Sequence, residues 1–93
     1  MATGALVAAP SASALPSACD STWQNPQGSR AMTTIHLRTG PSTRYVSKGL
    51  LADGTKFTRY CETDSGWSYG KVRGGANSGK WGWTYADHLE WPI

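Results

Sequence analysis

From residue 20 onward, no segment keeps the 3.6-residue hydrophobic period of an amphipathic helix over three turns. β-favouring residues come instead in short runs, at 33–38, 45–51, 56–62, 67–73 and 80–85. Turn-forming residues separate them: Thr39-Gly40-Pro41, Asp53-Gly54, Asp64-Ser65-Gly66 and the stretch from Gly74 to Gly79. Short strands at this spacing predict an all-β protein, a small barrel of five to six antiparallel strands.

Alternation within the runs assigns faces. Ile35 and Leu37 share one face and His36 and Arg38 the other, so the first strand is half buried. In 56–62, Phe57 and Cys61 share parity with Arg59, which sets a charge where the pattern calls for an apolar side chain. Either Arg59 snorkels to the rim, or the strand twists or bulges there. Residues 15–32 are expected to be an N-terminal extension packed on the barrel, which spans 33–93. Within it, 20–32, with Trp23 and Pro26, form a collar over one open end.

Composition changes the picture most at the front of the chain. The 93 residues carry 9 Lys+Arg against 6 Asp+Glu, a net charge of +3, yet no charge precedes Asp20. The front is rich in Ala, Ser and Pro and contains Ala12-Ser13-Ala14, a small-x-small pattern that a signal peptidase accepts. Residues 1–14 are therefore expected to be the remnant of an export signal, lacking its basic start, with a disordered linker as the alternative. No run approaches the ~18 apolar residues of a membrane span, so no membrane partner is expected.

What remains after Ala14 buries a thin core, for which a covalent staple matters. Cys19 and Cys61 are the only two cysteines, and an even pair in an exported protein predicts a disulfide. Closing so long a loop is worth ~4 kcal/mol in the chain-entropy account. Two lone cysteines at this separation match neither a CxxC redox motif nor a zinc spacing.

The runs and turns together resemble a known family, the bacterial SH3 (SH3b) domain. His36-Leu37-Arg38-Thr39-Gly40-Pro41-Ser42-Thr43-Arg44-Tyr45 is similar to its Val-Arg-Ser-Gly-Pro-Ser-Thr-x-Tyr signature. The run from Lys48 to Phe57 resembles its Gly-x-Leu-x-x-Gly-Thr-x-Val stretch. Gly66-Trp67 with Lys71-Val72, and Gly82-Trp83-Thr84 with Leu89, resemble its two Gly-Trp motifs and terminal Leu. Four ordered motifs over roughly 33–90 make the resemblance specific. There are departures. Ser68-Tyr69-Gly70-Lys71 is two residues longer than the family pattern, which predicts a bulge or register shift near Gly70. Thr84 and His88 stand where the family has an aliphatic and an aromatic residue.

The resemblance implies a ligand groove between the first loop and the strand opened by Trp67. It nominates Tyr45, Trp67, Tyr69 and His88, with Arg44 at the rim. Independently, ten aromatic residues exceed what so thin a core can hold, so several are expected on the surface as a recognition face for a peptide or glycan. Phe57 and one or two Trp belong to the core, while Trp23, Trp81 and Trp91 are expected to cover barrel ends.

Other chemistry is less well supported. His36 and His88 are far apart in sequence and no nucleophile–base pair is legible, so no catalysis, metal or cofactor is expected. Basic residues do alternate with aromatics, as in Arg59-Tyr60 and Lys80-Trp81, the pattern of single-strand nucleic-acid binders. The export signal and disulfide argue against that partner. The expectation is a secreted, monomeric, non-catalytic module that binds peptidoglycan or its cross-bridge peptide. The alternative is a secreted protein-interaction module, inhibitor or small effector using the same groove.

Overall fold

The computed structural model describes residues 15–93, so the expected export signal at 1–14 lies outside the described residues. Seven antiparallel strands form one sheet: β1 (Ser21–Ala31), β2 (Ile35–Arg38), β3 (Ser47–Leu51), β4 (Lys56–Glu62), β5 (Trp67–Val72), β6 (Trp81–Tyr85) and β7 (Leu89–Glu90). A 3₁₀ turn at Ala86–His88 joins the last two. Across the sheet the order is β3-β2-β6-β5-β4-β1-β7. The five expected runs became β2 to β6, trimmed by one or two residues at some ends.

Curling of the sheet brings its two ends to a common core. Leu51 of β3 and Leu89 of β7, at opposite edges, are buried in one cluster with Ala31, Ile35, Leu37, Phe57 and Val72. Seven side chains are few. At about 1.5–3 kcal/mol for each large one, the Cys19–Cys61 disulfide is comparable to one or two of them. That bond is formed, with Cα atoms 5.6 Å apart and Cys61 fully buried.

The segment 20–32 is not a collar over an open end. It supplies β1, part of the wall, paired with β4 along one side and β7 along the other. Between Thr22 and Gln27 the pairing with β4 breaks and resumes with two partner residues spanned instead of five. That bulge contains Pro26, which lacks the N–H a continuous ladder would need.

The bulge throws Trp23 over the inside of β4, where it meets Arg59. Arg59 does not snorkel: it is wholly buried. Its guanidinium carbon lies 4.5 Å from the Trp23 ring centroid and 4.2 Å from that of Trp91. Nε donates to Ser68 Oγ at 3.0 Å and Nη2 to Glu62 Oε1 at 2.5 Å, while Nη1 has no hydrogen-bond partner. Two indole faces stand in for the missing hydration, and the nearby carboxylate offsets part of the desolvation that draws the Arg59 pKa down.

The predicted irregularity near Gly70 is present, carried by the facing strand. Arg59 pairs with Gly70 and Cys61 with Tyr69, leaving Tyr60 as the extra residue of β4. Gly70 is required by proximity: a Cβ there would stand 2.0 Å from the Thr58 carbonyl oxygen and 3.0 Å from the Phe57 ring. Here the β4 and β5 backbones approach too closely for any side chain.

Candidate functional site

The first loop, from Thr39 to Val46, is locked by its own backbone. Thr39 N–H donates to Val46 O at 3.0 Å, Ser42 N–H to Gly40 O at 2.9 Å and Tyr45 N–H to Ser42 O at 3.2 Å. From β2, Arg38 Nη1 donates to Tyr45 O at 3.0 Å and, more weakly, to Thr43 O at 3.4 Å. The Tyr45 ring lies flat on Gly40, where a Cβ would come within 2.5 Å of three ring atoms. Gly40 therefore serves by lacking a side chain; its φ is not positive.

Opposite the loop, a tight turn fixes Trp67 at the start of β5. Thr63 N–H donates to Trp67 O at 2.8 Å and Trp67 N–H to Thr63 Oγ1 at 3.1 Å. Gly66 adopts φ +94 within this turn, a conformation natural to glycine. Trp67 pairs across the ladder with Tyr85, ring centroids 5.5 Å apart, and Tyr85 meets His88 edge-on at 5.4 Å. The 3₁₀ turn presents His88, with Met32 N–H donating to His88 O at 2.9 Å.

An open groove of about 450 Å³ is lined by Trp67, Tyr85 and His88, by Ser42 and Thr43 of the first loop, and by Thr34 with Ile35, His36 and Arg38 of β2. No carboxylate lines it, and Arg38 supplies its one fixed positive charge. His36 Nδ1 is hydrogen-bonded to Ser47 Oγ at 2.8 Å, and Ser42 Oγ accepts from Arg44 N–H at 3.0 Å. These groups suit stacking and hydrogen bonding to a ligand laid along the groove. Among the described residues, no three His, Cys, Asp or Glu side chains gather to hold a metal ion, and no helix is long and apolar enough to cross a membrane.

Of the residues nominated from the sequence, Trp67 and His88 line this groove. Arg44 and Tyr45 belong to the loop beside it, both exposed, and do not line it. Tyr69 also lies elsewhere, two residues along β5, stacked on Trp81 at 5.7 Å and tilted against Trp83 at 5.2 Å. Tyr85, His36 and Arg38 were not nominated. Tyr85 enters only through the register: Lys71 pairs with Trp81 and Trp67 with Tyr85, one residue off the symmetric count outward from the Gly74–Gly79 turn, which would set Trp67 against Ala86.

No family model, no curated protein and no solved structure matches this chain.

Proposed function

We propose that the protein is a secreted, non-catalytic binding module whose groove takes peptidoglycan or its cross-bridge peptide. The observation that carries this reading is the position of the groove. It lies between the first loop and Trp67, where the resemblance to SH3b domains locates a ligand, and it is walled by Trp67, Tyr85 and His88. Flat rings present a surface on which an extended peptide backbone or a sugar face stacks at little entropic cost, since the side chains are already held. Loop hydroxyls and Arg38 add hydrogen-bonding groups along the same path. A Cys19–Cys61 disulfide suits an oxidising, extracellular setting.

The test is co-sedimentation of the purified protein with insoluble cell-wall sacculi at low salt. Trp67→Ala should shift the protein from pellet to supernatant while leaving its thermal melt cooperative. Full recovery of the unaltered protein in the supernatant contradicts wall binding and moves the groove's ligand to another protein.

A further inference from the structure

A second surface lies farther along the same β5–β6 hairpin. Trp67↔Tyr85 is one rung of this ladder and Lys71↔Trp81 is another, four residues away. At the rise of an extended strand that is about 13 Å. The rung between them is Tyr69↔Trp83; Trp83 is only 2% exposed, and neither residue lines the groove.

At that far end the half-buried rings of Tyr60, Tyr69 and Trp81 adjoin, with Trp81 centroids 4.9 Å from Tyr60 and 5.7 Å from Tyr69. Four cations surround them. Lys71 Nζ lies over the Trp81 ring at 5.8 Å. Arg73 is held by Thr58 Oγ1 at 2.9 Å and the Tyr60 hydroxyl at 3.3 Å. Lys48 Nζ donates to the Trp81 carbonyl, and Lys80 Nζ to the Lys48 carbonyl at 3.4 Å, so two ammonium groups sit at one edge of the cluster.

None of the four is in an ion pair. The two ion pairs among the described residues are Arg30–Glu90 and Arg59–Glu62, which involve other cations. Gathering like charges around half-buried rings with no counter-charge is unfavourable for the free protein and favourable for one that meets an anion.

We propose that this face binds a linear polysaccharide bearing carboxylates on its sugar rings. A sugar face stacks on Trp81 and Tyr69, and the ring carboxylate then meets Lys71, whose Nζ lies 5.8 Å from the Trp81 centroid, with Lys80 and Arg73 flanking the same rings. Repetition along the polymer supplies the next carboxylate to the next cation. The disulfide favours an extracellular glycan over a nucleic acid as the polyanion. This site does not rest on the groove's ligand, and either reading can fail without the other.

The experiment is fluorescence or calorimetric titration with defined polygalacturonate oligomers, with neutral dextran and a single-stranded oligothymidylate run in parallel. Binding to polygalacturonate is expected to weaken steeply with added salt. Trp81→Ala should weaken it by at least about tenfold, the scale of a lost ring contact in a charged site. Because Trp81 is half-buried, the double variant Lys71→Gln/Lys80→Gln, which alters side chains on the solvent face, is the parallel test. It should lower affinity and flatten the salt dependence, while Arg30→Gln/Arg44→Gln, an equal loss of charge at residues outside this cluster, should do neither. Equal binding of neutral dextran, tighter binding of the oligonucleotide, or an affinity indifferent to the Lys71/Lys80 change would overturn the proposal.

Discussion

Trp91, two residues before Ile93, lies with its ring centroid 4.2 Å from the guanidinium carbon of Arg59, in the middle of the strand that also carries the disulfide. The contact ties the end of the chain to the barrel's interior and covers a charge that would otherwise be unpaired on two faces. The Trp23 ring also covers the guanidinium, its centroid 4.5 Å away. Trp91→Ala should therefore cost about 1–2 kcal/mol, because it opens one face of a desolvated cation–π pair. Arg59→Ala should cost more, about 3–5 kcal/mol, since it also strands Glu62 and leaves a cavity. Urea denaturation followed by tryptophan fluorescence measures both. Equal effects from the two changes would mean that the indole, not the buried charge, holds this end together.

Removing the disulfide with the pair Cys19→Ser and Cys61→Ser should lower stability by about 2–4 kcal/mol, a large share for so few core residues. Intact mass with and without reductant gives the prior check. A two-proton mass gain on reduction is expected, and two free thiols in the native protein would remove the staple.

Gly70→Ala should be among the most damaging single substitutions. A methyl group 2.0 Å from the Thr58 carbonyl has no rotamer to escape through, so β4 and β5 must separate. A loss of at least about 2–3 kcal/mol is expected from thermal melts. Gly54→Ala, where nothing lies within 4 Å but φ is +90, should cost less, about 1 kcal/mol, through backbone strain alone.

Burial among Trp81 and Trp83 pushes the Tyr69 phenol above its usual range. The folded state thus holds that proton more tightly than the unfolded chain does. Below the ordinary phenol pKa both states are protonated and the difference is silent. As pH rises past about 10, the unfolded chain ionises first and stability falls until the folded phenol also ionises. Urea midpoints measured from pH 8 upward should show this alkaline loss, reduced in Tyr69→Phe. An unchanged slope in that variant would place the effect elsewhere.

Much of the wall was legible because β2, β4 and β5 alternate and turn-forming residues follow β2 to β5, whereas β6 buries Gly82, Trp83 and Thr84 in a row. Ile35 and Leu37 are buried and His36 is exposed, as their parity requires. β1 was not legible for the converse reason. Of its eleven residues only Ser29 and Ala31 are buried, one of them polar, and Ser29 is admitted because its hydroxyl donates to the Phe57 carbonyl at 2.6 Å. Arg59 was equally opaque. Its partners, Trp23, Glu62, Ser68 and Trp91, are spread over most of the chain, so no local pattern announces that the charge is accommodated. Within the groove, Trp67 and His88 were found through motif resemblance, whereas Tyr85, His36 and Arg38 enter only once strand register is known. Tyr69 shares a face with Trp67 by alternation, but its ring stacks toward Trp81 and does not line the groove.

The most direct measurement of the groove's role is a ¹⁵N NMR titration of the intact protein with soluble muropeptides carrying cross-bridge residues. Saturable shifts are expected at the Trp67 indole N–H, at Tyr85 and His88, and at the backbone amides of Ser42 and Thr43, with the Trp91 indole N–H unmoved. Spectra that do not change at millimolar muropeptide, or shifts confined to residues away from the groove, would contradict it.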